Sequence, residues 1–187
     1  MIQGKLWTIS NILSLSRIVL MIPAGYFLAT AGHFNREIAV LIILVAVSTD
    51  ALDGYFARKF NEISEFGKVI DPLADKIGVG IVVVMLVIFG DIPLWFAVVV
   101  LMRDLIIFLA GLYIKAKTGI ILPSMMSGKV AVSFLAMYLV FSILRYESIS
   151  VFTALLMWFC VALLGYSLSV YAKRFFQTLQ EHKVKET

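Results

Sequence analysis

A single cysteine, Cys160, and two histidines, His33 and His182, are all that this chain of 187 residues offers toward thiolate or imidazole chemistry. One thiol in an apolar run makes neither a disulfide framework nor a zinc site. Cys160 therefore reads as a packing residue. Both histidines stand outside the apolar runs, and no Ser-His-Asp set or glycine-rich phosphate loop accompanies them. Charge is scarce as well, at 15% of residues. The net charge of +4 comes without the basic, aromatic-interleaved surface that nucleic acid requires, so no nucleic-acid partner is expected. Linkers, low-complexity tracts and internal repeats are missing, and a single unit over residues 1–187 is the expectation.

What the chain does have is apolar length. Hydrophobic residues make up 61% of it and the mean hydropathy is +0.99, values of an integral membrane protein. Apolar runs at about 12–31, 38–60, 69–89, 94–114, 126–144 and 151–171 approach the ~20 residues a bilayer requires. The expected fold is an all-α bundle of six transmembrane helices. Residues 1–9, with Lys5, Leu6 and Trp7, suit a short interfacial helix before it. No small-residue cleavage site follows, so a cleaved leader is not expected. Lys5, Arg58, Lys59, Lys68, Lys115, Lys117, Lys173, Arg174, Lys183 and Lys185 fall at one membrane face, against Arg36 and Arg145 at the other. Basic loops stay inside, so a multi-pass protein of the cytoplasmic membrane with both termini cytoplasmic is expected. The polar tail from Lys173 reads as a short helix leaving the bilayer.

Between the second and third runs lies the chain's densest charge. Asp50, Asp53, Arg58, Asp71 and Asp75, with Gly54, Ala57 and Gly67, sit beside or inside apolar sequence. Each ionised group at that depth costs several kcal/mol on insertion scales, about 3 kcal/mol for an aspartate. One arginine does not neutralise four acids, and a hard divalent cation is the simplest group that lets them stay ionised together. Asp50, Asp53 and Ala57 share a helical face, and Asp71 and Asp75, four apart, share another. A short polar connection over 61–65 folds the two helices antiparallel. Gly54 and Ala57 leave room for a ligand against the backbone, and Arg58 offers a fork of donors to phosphate. The chemistry points to Mg2+ or Mn2+ holding a diphosphate at the membrane edge.

Asp50-x-x-Asp53-Gly54-x-x-Ala57-Arg58, then eight residues, then Gly67-x-x-x-Asp71-x-x-x-Asp75 resembles the full signature of the CDP-alcohol phosphotransferases. The resemblance implies transfer of a phosphatidyl group from CDP-diacylglycerol to an acceptor hydroxyl, with release of CMP. Asp50, Asp53 and Asp71 then hold the metal with Asp75 at its edge. Asp75 takes the acceptor proton as the catalytic base. Asp53, Gly54, Ala57, Arg58 and Gly67 meet the CDP donor. The family also implies a second copy of the chain as a partner, and the count of basic residues puts the acid cluster on the cytoplasmic side. Asn11 to Arg17 is similar to an amino-terminal pattern of phosphatidylglycerolphosphate synthases and cardiolipin synthases, with Ser14 in place of threonine.

Two more cations lie in apolar runs. Arg103, followed by Asp104, falls mid-run, and Lys129 follows Ser127-Gly128. As sequence neighbours, Arg103 and Asp104 point in different directions and are not expected to neutralise each other along one face. Arg103 reads either as a cation for an anionic acceptor or as half of an interhelical ion pair. Lys129 reads as acceptor-binding or as snorkelling to the interface. An Arg-acid pair followed by Gly-Lys resembles phosphatidylglycerolphosphate synthases, which take glycerol-3-phosphate. Ala110-Gly111 stands where that subgroup usually has a second basic residue. The Arg-Asp version also resembles cardiolipin synthases, which take phosphatidylglycerol. Inositol phosphate and serine are alternative acceptors. A cation transporter is the non-enzymatic alternative, although the acids gather on one side and no polar route crosses the bilayer.

Overall fold

The computed structural model describes the backbone of residues 9–30, 32–59, 67–119 and 125–186, and the side chains of 16, 19–30, 32–48, 77–119 and 125–181. Six α-helices run in chain order: α1 (Ile9–Ala29), α2 (His33–Lys59), α3 (Gly67–Ile88), α4 (Leu94–Thr118), α5 (Met126–Leu144) and α6 (Ser150–Glu186). A single 3-10 turn, Glu147–Ile149, precedes α6, and no strand occurs among the described residues. The fold is all-helical. Helices α4 and α5 and the stretch Glu147–Glu181 are long and apolar enough to cross a bilayer. The other three apolar runs coincide with α1, α2 and α3, and the shorter apolar stretches Val19–Ala29 and Ile77–Ile88 lie in α1 and α3. Residues 1–8, expected to form an interfacial helix, lie outside the described residues.

Helix ends differ from the apolar runs where capping overrides hydropathy. Gly32 adopts φ 137° and α2 starts directly after it, at His33, ahead of the apolar run that begins at about 38. Helix α4 continues past the apolar run to Thr118, with Lys115 and Lys117 in a last turn where the helix dipole favours cations. Gly119 ends it in the left-handed conformation, φ 69°, its N–H donating to the Lys115 carbonyl. The tail expected as a separate helix is instead the continuation of α6.

The chain divides into two compact units, Met1–Ile92 and Pro93–Thr187. In the first, α1 packs on α2 and α3. Met21, Ala24 and Leu28 recur at helical spacing along the buried stripe of α1, and Ala39, Val40, Ile43 and Ala46 along that of α2. Small residues let these apolar helices approach. A Cβ on Gly25 would lie 2.8 Å from Met85 Cε of α3. Arg36 at the start of α2 donates from Nη1 to Asp91 Oδ1 at 2.6 Å, tying that end of α2 to the turn after α3. The Asp91 side chain is fully enclosed and that of Arg36 nearly so. Arg36→Ala is therefore expected to destabilise by about 3 kcal/mol, the lower end for breaking a buried pair. A lowered thermal midpoint of the purified protein would register it, and an unchanged midpoint would reduce the pair to a surface contact.

In the second unit, α6 packs on both α4 and α5. Leu156, Cys160, Leu164 and Ser167 form its buried stripe, spaced four, four and three residues apart. Cys160 is buried and free, the packing role expected for it. Aromatic pairs pin the helices: Trp95 stacks on Trp158 at 5.4 Å, and Phe96 meets Tyr138 edge-on at 4.8 Å. Leu94, Val98, Met102, Leu105 and Leu109 leave α4 with an outward apolar face that a lipid environment would cover.

Candidate functional site

The motif residues fall on two helix ends. Asp50, Asp53, Gly54, Ala57 and Arg58 lie on the last turns of α2, and Gly67 is the first residue of α3, with Asp71 and Asp75 on its first two to three turns. Their side chains, and the connection 60–66, lie outside the description. Backbone register still constrains them. The Arg36–Asp91 contact joins the opposite ends of α2 and α3. At 1.5 Å per residue, Asp50 lies about 21 Å along α2 from Arg36, and Asp75 about 20 Å along α3 from its end. The two helices thus carry acid positions at comparable heights. Among the described residues no group of three or more His, Cys, Asp or Glu side chains is placed to hold a metal. The four motif aspartates are outside that search.

The basic candidates are better defined. Arg103 on α4 is only 7% exposed, and two neighbours hold it. Its Nη1 donates to Asp104 Oδ1 and its Nη2 to Ser167 Oγ of α6, both at 2.6 Å. The expectation that Arg103 and Asp104 do not pair is thereby corrected. Their Cβ atoms diverge by about 100° round the helix, yet the long arginine stem lets the guanidinium fold back to its neighbour. The Tyr171 ring centroid lies 6.0 Å from the guanidinium carbon, within reach of a cation–π attraction. Arg103 Nε is buried and finds no hydrogen-bond acceptor among the described residues.

Lys129 occupies the first turns of α5 and is exposed. The Met125 N–H just before that helix donates to Tyr171 Oη at 3.0 Å. A Cβ on Gly128 would come within 3.0 Å of the same oxygen, so the glycine keeps this approach open. The contacts that Ser167 and Tyr171 make with Arg103 and Met125 were not legible in the sequence. The one hint was a serine deep in an otherwise apolar helical stripe, where a hydroxyl needs a partner.

A family model described as CDP-alcohol phosphatidyltransferase matches residues 7–166. The CDP-diacylglycerol--glycerol-3-phosphate 3-phosphatidyltransferase of Bacillus subtilis is 33% identical over 118 residues, 60% of this chain and 60% of that protein. The enzyme of the same name from Mycoplasma pneumoniae is 29% identical over 209 residues, 94% of this chain and 92% of its own length. Human cardiolipin synthase (CMP-forming) is 39% identical over 113 residues, 60% of this chain and 36% of that protein. Because the match takes in most of the chain and spans both halves of the acid motif, the chain belongs to the CDP-alcohol phosphatidyltransferase family.

Proposed function

We propose that the protein transfers a phosphatidyl group from CDP-diacylglycerol to the hydroxyl of glycerol-3-phosphate, making phosphatidylglycerolphosphate and CMP. The observation that carries this is the complete acid motif on the adjoining ends of α2 and α3, within the matched stretch. The donor set fits a hard divalent cation: four carboxylates, all oxygen ligands, at helix positions of comparable height. Asp50, Asp53 and Asp71 would hold Mg2+ or Mn2+, with Asp75 at its edge. Such an ion, when bound, neutralises the diphosphate and the charge that grows on departing CMP. Arg58 binds the CDP phosphates, and Gly54, Ala57 and Gly67 let the donor approach the helix backbones. Asp75 takes the proton of the acceptor hydroxyl as its oxygen attacks the lipid-bearing phosphorus. The bond from that phosphorus to the CMP oxygen breaks, and CMP leaves with its electron pair. The excess of basic residues near the motif-bearing helix ends favours a cytoplasmic site.

Arg103 and Lys129 are assigned to the acceptor, because a phosphate in an apolar setting requires cations. A second reading, with phosphatidylglycerol as acceptor, is favoured by the identity to human cardiolipin synthase. An acceptor screen with labelled CDP-diacylglycerol decides between them by product: glycerol-3-phosphate, phosphatidylglycerol, inositol phosphate, inositol and serine. Lys129→Ala and Arg103→Ala are each expected to raise the acceptor KM by roughly tenfold or more, the loss of one charge-assisted hydrogen bond, with donor KM little changed. Normal acceptor use by both variants, or a preference for a neutral alcohol, would overturn the assignment.

A further inference from the structure

One face of α6 reaches both helices that carry the acceptor cations. Ser167 is fully buried and its hydroxyl accepts from Arg103 of α4. Tyr171, one turn later, borders the same guanidinium with its ring and accepts the Met125 N–H with its hydroxyl. Met125 is the N-cap of α5, so the phenol oxygen satisfies one of the donors a helix start leaves unpaired. No side-chain cap does so from within α5 itself. Gly128 admits the tyrosine, and Lys129 follows it directly. Packing alone would be served as well by apolar residues, since buried hydroxyls cost free energy unless they are used. Among the described residues the arrangement also leaves Arg103 Nε buried without an acceptor while each terminal nitrogen makes one bond. A guanidinium so fixed still has its Nε–H, besides the second N–H on each terminal nitrogen, to give a ligand. Both α6 residues fall just beyond the residues 7–166 matched by the family model.

We propose that Ser167 and Tyr171 are positioning residues for the acceptor: Ser167 sets the guanidinium of Arg103, and Tyr171 sets the first turn of α5 that carries Lys129. The assignment rests on the anionic-acceptor reading above. Ser167→Cys keeps nearly the same volume with a poor acceptor, and Tyr171→Phe keeps the ring without its oxygen. With the wild-type enzyme's best acceptor, each variant raises the acceptor KM by roughly five- to tenfold, the scale of one ordinary hydrogen bond. Donor KM and kcat stay close to wild type. Ser167→Cys adds nothing further in an Arg103→Ala background, nor Tyr171→Phe in a Lys129→Ala background. An unmoved acceptor KM, the same loss in both backgrounds, or equal changes in donor and acceptor KM would overturn the positioning role. Should Ser167→Cys fail to fold, the Tyr171→Phe pair decides alone. A wild-type preference for inositol or serine overturns the anionic-acceptor reading and this role with it. A preference for glycerol-3-phosphate or phosphatidylglycerol with unmoved KM values overturns the positioning role only.

Discussion

The Asp53→Asn protein is expected to lose phosphatidyl transfer by roughly a hundred- to a thousandfold or more, the scale of removing one preorganised electrostatic group. Asparagine keeps the shape and one oxygen of the side chain and removes the charge. Fold stability should survive, because the substitution relieves repulsion among four like charges instead of opening a cavity. On the proposed assignment, what is lost is the excess of negative charge that would concentrate a divalent ion between α2 and α3. Two measurements close the argument. A chelator should silence the wild-type enzyme, with Mg2+ or Mn2+ restoring it. Added metal should raise the wild-type thermal midpoint more than that of the variant, since binding to the folded state stabilises it by mass action. Chelator-resistant activity, or a fully active Asp53→Asn enzyme, would remove the basis for a metal site.

Asp75→Asn should separate chemistry from binding. As the proposed acceptor of the hydroxyl proton, Asp75 would contribute at the transition state, and general-base catalysis is worth roughly a hundred- to ten-thousandfold. The variant is therefore expected to retain CDP-diacylglycerol with near-normal affinity while kcat falls by that factor. Arg58→Ala should do the reverse, weakening the donor complex directly, because a guanidinium fork on a diphosphate acts before any bond changes. Equilibrium binding of the labelled donor, measured beside turnover, distinguishes the two. If both variants lost donor affinity equally, with no separate rate defect, the base role of Asp75 would have no support.

The acid motif was legible because its spacing is fixed by helix geometry and because charge at that depth has few innocent explanations. Helix α5 was legible to both ends, Met126–Leu144, since a Gly- and Pro-containing connection precedes it and Arg145 closes it in a left-handed turn, φ 49°. The run-based ends of α2, α4 and α6 fell short, because hydropathy reports lipid contact while helices continue as long as their backbone bonds and caps allow. The environment of Arg103 was not legible at all. Its partner in α6 lies 64 residues away, and its bond to Asp104 depends on side-chain reach instead of register. Sequence spacing locates charges well along one helix; it says little about which neighbouring helix answers them.

Helix α6 runs 37 residues without interruption. That is about 55 Å of rod, well beyond the ~30 Å hydrocarbon layer. From Tyr166 to Glu186 it contains neither proline nor glycine, the usual sources of a sharp kink. The charged tail and the Ser167–Tyr171 face are therefore two points on one stiff lever. A tug on the tail, from an anionic headgroup or from a neighbouring protein, reaches Ser167 as tilt instead of being absorbed at a joint. Anything that held the tail would also set the angle at which α6 meets Arg103.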